Sequence, residues 1–64
     1  MRIESAKSIE RVMVYNAMGV LVETIHADGM MVNVNLSQYS NGVYFFNIRQ
    51  SNGTVSNQRV VVSH

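Results

Sequence analysis

His26 and Asp28 are the one histidine–carboxylate pair close enough in sequence to act together, as metal ligands or as an acid–base couple. Both sit beside Gly29 in a segment that reads as a turn, where side chains are solvated. General acid–base chemistry needs titratable groups within hydrogen-bond reach and tuned by burial. The other carboxylates, Glu4, Glu10 and Glu23, fall in segments that read as exposed. With His26 and His64 the only histidines and no cysteine, the chain cannot build a closed metal site from those ligands. Seven serines are present, but no nucleophile-elbow motif surrounds any of them. The four glycines punctuate turns and form no phosphate-cradling loop. Asn35-Leu36-Ser37 and Asn52-Gly53-Thr54 fit the glycosylation sequon, a pattern that an asparagine- and serine-rich chain produces by chance. These residues predict neither an enzyme nor a cofactor protein.

Binding is the remaining kind of chemistry. Tyr15, Tyr39, Tyr44, Phe45 and Phe46 could form a sugar-stacking platform, although aromatics at alternating strand positions are more often core. The five basic residues, Arg2, Lys7, Arg11, Arg49 and Arg59, are scattered, and a net charge of +1 gives no nucleic-acid stripe. No apolar run approaches the roughly 20 residues that span a bilayer. The first residues also lack the charged-then-apolar layout of a signal peptide, so an export address, if there is one, lies outside this sequence.

The elements that carry these residues are strands. Ile3 marks a short first strand and Ala6-Lys7-Ser8 a polar connection. Ile9 to Asn16 follows, with Val12 and Val14 on one face and Met13 and Tyr15 on the other, because strand side chains alternate. Asn16-Ala17-Met18-Gly19 is a turn, and Val20 to Ile25 returns as the second arm of a hairpin. Asp28-Gly29 predicts another hairpin turn. Met31 to Leu36 alternates Val32, Val34 and Leu36 against Asn33 and Asn35. Ser37 to Asn41 has room for one helical turn at most. Gly42 to Gln50 is a strand with Tyr44, Phe46 and Ile48 opposed to Val43, Phe45 and Asn47. Asn52-Gly53 predicts a two-residue type I′ hairpin into a final strand weighted at Val60-Val61-Val62. Turn signals at this spacing predict one all-β domain over residues 1–64, an immunoglobulin-like antiparallel β-sandwich of about six to seven strands.

A domain of this size buries only about 60% of its unfolded surface, and small scaffolds without disulfides or metals lean on association. The apolar residues occur on both faces of several strands: Met13 and Tyr15 oppose Val12 and Val14, Val43 and Phe45 oppose Tyr44 and Phe46, Val61 opposes its neighbours. Either this is ordinary scattered surface apolarity, or a contiguous patch that another chain covers. The second reading predicts a homodimer or a missing neighbour.

The order of the motifs says more than any one residue. Val14-Tyr15-Asn16-Ala17-Met18-Gly19 is followed by Val22, by Asn35-Leu36-Ser37, by Asn41-Gly42-Val43-Tyr44-Phe45-Phe46-Asn47-Ile48, by Asn52-Gly53 and by Gln58-Arg59-Val60-Val61. From Ile9 to Val62 this resembles the type A C-terminal sorting domain of proteins exported by the type IX, or Por, secretion system of Gram-negative Bacteroidetes. The resemblance implies a non-catalytic secretion signal at the end of a larger protein. The signal would be recognised by the outer-membrane translocon and commonly cleaved off by a sortase-like protease. The cargo would pass through the periplasm to the cell surface or the medium. Gly19 and Gly42 would set turns, and Leu36, Tyr44 and Phe46 the core. Arg59, Val60 and Val61 match the terminal segment needed for export, with Tyr15 and Phe45 as further contacts. Family members usually begin with a Pro-Asn-Pro segment and a full first strand, so an incomplete first strand with an exposed edge is expected here. Many also end near a lysine, whereas this chain ends Val62-Ser63-His64. The alternative reading is a small adhesive or carbohydrate-binding module of a surface protein.

Overall fold

A computed structural model describes residues 1–64. Four antiparallel strands form a single sheet: β1 (Arg2–Asn16), β2 (Leu21–Asn33), β3 (Gly42–Gln50) and β4 (Val55–Val62). Their order is β2-β1-β3-β4, so β1 and β3 are central and β2 and β4 are the edges. A single 3₁₀ turn, Leu36–Gln38, lies between β2 and β3.

The all-β expectation holds, but the chain forms one four-stranded sheet in place of a sandwich of six to seven strands. Two pairs of expected strands are fused. Ile3 and the Ile9–Asn16 segment belong to one 15-residue strand, and Val20–Ile25 joins Met31 onward in one 13-residue strand. Asp28-Gly29 is no hairpin turn, because it lies inside β2. The fusions are made with bulges. Glu4 pairs with Met31 and Ile9 with Gly29, so Ser5 to Ser8 oppose Met30 alone. That excess of chain bends the β1–β2 ribbon, since a bulged strand bends and twists more strongly. Ile3, Val32 and Val34 from the far end of the ribbon thereby join the same core as Val12, Val14, Phe46, Ile48 and Val62. Bending lets a single sheet enclose its own core.

A second bulge sets which residues are inside. Ile9 pairs with Gln50 and Arg11 with Arg49, so β1 carries one extra residue, Glu10, against β3. A one-residue slip moves every following side chain to the opposite face. Odd-numbered Ile9 and even-numbered Val12 and Val14 are therefore all fully buried. On β3 the alternation is unbroken, and Tyr44, Phe46 and Ile48 face the core with Val60 and Val62 of β4 beside them. Leu36 is partly buried against the same core. β1 is the longest strand of the sheet and has a neighbour on each side.

Both short hairpins are closed alike. Asn16 donates its N–H to Val20 O at 2.9 Å while Gly19 donates to Asn16 O at 2.9 Å; Gln50 and Gly53 repeat this with Thr54 and Gln50 at 2.8 and 2.9 Å. These are three-residue loops, not the two-residue type I′ turn expected at Asn52-Gly53. A type I′ turn needs a positive φ at both central residues, and no non-glycine residue here has one. Asn52 instead accepts the Thr54 N–H on its side chain at 2.9 Å. Gly19 closes its loop at φ 81°, a conformation that costs a residue with a Cβ roughly 1–2 kcal/mol.

Candidate functional site

Directly opposed residues of an antiparallel ladder share a face, so the registers map the surface away from the core. Tyr15 pairs with Phe45, and Phe45 with Arg59, placing three of the candidate contact residues in one cross-strand row over β1, β3 and β4. Leu21 extends the row on β2. Val43 and Val61 form the adjacent pair on the same face. Met13 lies on the other side of Tyr15, whose hydroxyl donates to the Met13 Sδ at 3.9 Å. Next in order come Asn47 and Asn57, joined by a 3.0 Å side-chain hydrogen bond, and then Arg11 opposite Arg49.

This face is wet. Phe45 is 42% exposed, Val61 59% and Leu21 45%, while Tyr15, Met13 and Val43 are half-buried. It is also cationic at its flanks. Arg59 ends the aromatic row, and Arg11 and Arg49 sit together with one carboxylate near them, Glu10, whose Oε2 is 3.0 Å from Arg49 Nε. The apolar second face read from the sequence is thus one contiguous patch framed by arginines. Val60 does not belong to it. It is 9% exposed and packs into the core, because it alternates with Arg59 and Val61. Val60-Val61-Val62 carries no internal clue to its parity; only the pairing with Tyr44, Val43 and Gly42 assigns the sides.

Gly42 opens β3 with φ 153°, and Phe46 is fully buried. Tyr44 is buried in the core and donates its hydroxyl to Ser40 O at 2.8 Å, pinning the loop before β3. The sequence reading missed a strap around this loop. Tyr39 stacks on Tyr44 with ring centroids 5.1 Å apart and meets the edge of Phe46 at 6.5 Å. Its hydroxyl donates to the Glu23 carboxylate of β2. Burial first, and then the Glu23 carboxylate, raise the Tyr39 hydroxyl above the ordinary tyrosine value. Across the loop, His64 donates its backbone N–H to Asn41 Oδ1 and its ring Nε2–H to Tyr39 O, both at 2.8 Å. Val22, Glu23, Gln38, Tyr39, Ser40 and Tyr44 line a shallow groove here. Asn35, noted above for its sequon, caps the 3₁₀ turn by accepting from Ser37 N and Ser37 Oγ at 3.1 and 2.6 Å.

The chemistry weighed at the outset has no centre in this arrangement. His26 stands opposite Arg11, Asp28 is exposed in the irregular part of β2, and no three His, Asp or Glu side chains converge. What recurs is a set of motif residues with backbone duties. Asn16 Oδ1 accepts from Met18 N and Val20 N at 2.9 and 3.0 Å ahead of Gly19. Asn35 and Ser37 start the 3₁₀ turn, and Tyr44 locks the loop that leads into Gly42.

A non-catalytic β module with these motifs in this order belongs to a known class. Residues 1–63 match the family of secretion system C-terminal sorting domains, and the chain belongs to that family. The match includes β1 from its first residue, beyond the Ile9–Val62 span that the motifs alone delimit. No curated protein and no solved structure matches the chain. Membership in the Por secretion family makes the domain a sorting signal for cargo bound for the cell surface or the medium, and not an enzyme.

Proposed function

We propose that residues 1–64 act as the terminal module of a larger secreted protein and are read as a folded unit by the outer-membrane translocon of the type IX system. The reading surface is the wet face of the sheet, with Tyr15, Phe45, Arg59 and Val61 as contacts. The observation that carries this is the row Tyr15–Phe45–Arg59, in which aromatic and cationic groups from three strands lie side by side on the face turned away from the core. Tyr, Phe and Arg are the types enriched where proteins dock, and charged rims guide the encounter. Passage is through the periplasm, after which a sortase-like protease removes the module and the cargo is released or attached at the surface. Val60 serves this function through the fold, by holding β4 in place.

The test is a reporter fused to this domain in a bacterium with a working type IX system. Tyr15→Ala, Phe45→Ala and Arg59→Ala should each lower the exported fraction while the isolated domain stays folded by circular dichroism. Export at wild-type level in the triple variant would overturn the assignment of this face. Specific glycan binding by the domain, abolished by Phe45→Ala, would instead favour an adhesive module.

A further inference from the structure

We propose that the free edge of β4 (Val55–Val62) takes the β4 strand of a second copy of this chain, antiparallel about a two-fold axis through Gln58. The two edges of the sheet are not alike. β2 departs from regular register with β1 at three places, and such irregularities blunt an edge against further pairing. β4 keeps register with β3 without interruption from Gly42–Val62 to Arg49–Val55, and its sequence has no proline or lysine. Edges left regular and free of these residues are templates for another strand.

The sequence of β4 selects the occupant. In a symmetric antiparallel pair, opposed residues must lie on the same face, so the axis passes through a residue and not between two. An axis through Arg59 sets Arg59 against Arg59 of the second copy. Like charges directly opposed are unfavourable. An axis at Asn57 sets Val55 against Arg59, and one at Val60 shortens the ladder. The axis at Gln58 opposes Gln58 to Gln58, Asn57 to Arg59, Ser56 to Val60, and Val55 to Val61. The last pair joins two valines that are 47% and 59% exposed in the single chain. At this one register the strand sets its single charge opposite a neutral residue and joins its exposed valines. The product is an eight-stranded sheet that presents the two Tyr15–Phe45–Arg59 rows on the same side, since a two-fold normal to a sheet keeps its faces. With 11 of 64 residues buried, the single chain also has little core of its own, and association is a usual remedy.

The chain lacks cysteine, so single-cysteine variants report the register cleanly. Gln58→Cys should give a disulfide-linked dimer on mild oxidation. Arg59→Cys should not, because at this register the two positions lie beyond the roughly 7 Å Cα separation that a disulfide spans. Mixing Asn57→Cys with Arg59→Cys should give the mixed dimer. Sedimentation equilibrium of the unmodified chain should show reversible dimers. Gln58→Arg, which sets two cations on the axis at an exposed position, should weaken association roughly tenfold or more with circular dichroism unchanged. A strictly monomeric unmodified chain at several hundred micromolar, or Arg59→Cys crosslinking as readily as Gln58→Cys, overturns the proposal. Pairing of the edge only with an added extended peptide, and never with itself, overturns it equally.

Discussion

Phe45 and Phe46 are adjacent in sequence and opposed in role, and truncating each in turn separates stability from recognition. Phe46 is fully buried, opposite Val14 of β1, with the Tyr39 ring at its edge. A buried aromatic covers about 200 Å², which at about 25 cal/mol per Å² corresponds to about 5 kcal/mol. Measured Phe→Ala changes in cores fall at about 3–5 kcal/mol. A domain of this length has a total stability of roughly 3–10 kcal/mol at typical per-residue values. Phe46→Ala should therefore cost from about a third of that stability, at the upper end of the range, to all of it at the lower end. Phe45 is exposed and its neighbours in the ladder are Tyr15 and Arg59. Two cross-strand pairs at about 0.2–1 kcal/mol each give a loss near 1 kcal/mol for Phe45→Ala. Urea denaturation followed by circular dichroism measures both, and the reporter fusion measures export of the same two variants. Phe45→Ala should stay folded and lose export, whereas Phe46→Ala should lose several times as much stability, at about 3–5 kcal/mol. If Phe45→Ala costs as much stability as Phe46→Ala, the register that puts Phe45 on the wet face is wrong.

Three further outcomes follow from local features. Gly19→Ala should cost roughly 1–2 kcal/mol in urea denaturation, because no Cβ sits comfortably at its φ of 81° although nothing lies within 4 Å to obstruct it. The raised Tyr39 value makes stability depend on alkali: its contribution is complete below the ordinary tyrosine value near 10 and is lost as pH rises above it, since the unfolded chain releases that proton more readily. Tyr39→Phe should flatten the fall in melting temperature above pH 10, and an unchanged fall would refute the assignment. Arg11→Gln should raise stability by a few tenths of a kcal/mol at low salt by removing a like charge opposite Arg49, and the gain should shrink in 1 M salt as screening takes hold.

Much of the fold is legible in the residues. Val12 and Val14, Val32 and Val34, and Tyr44, Phe46 and Ile48 sit on the predicted parities and are buried. Gly19 and Gly53 mark the two tight hairpins, and the space between Leu36 and Gly42 holds one short turn, as its length requires. The strand count was not legible. Ala6-Lys7-Ser8 and Asp28-Gly29 carry the composition of turns, and whether such a segment reverses the chain or bulges within a strand depends on what lies opposite it. That partner is 20 or more residues away in sequence. A sandwich inferred from six strand-like segments therefore became one bent sheet. The candidate face was readable as a second set of apolar parities, but its row order was not, because register is a relation between strands. The Tyr39–Glu23 contact was hidden for the same reason, its partners being 16 positions apart.

Glu10 works as a phase shift in the pattern of β1. Before it the odd-numbered positions point inward, and after it the even-numbered ones do. Deletion of Glu10 would remove the bulge, so that Arg11 follows Ile9 in strict alternation, with Val12 and Val14 still turned to the core and Met13 and Tyr15 away from it. A single-residue gap at the bulge thus keeps the sides of the sheet, whereas one between Val12 and Tyr15 sets the strand one step out of phase with β3. Related chains aligned through this strand should accordingly carry their single-residue differences in length between Ile9 and Arg11.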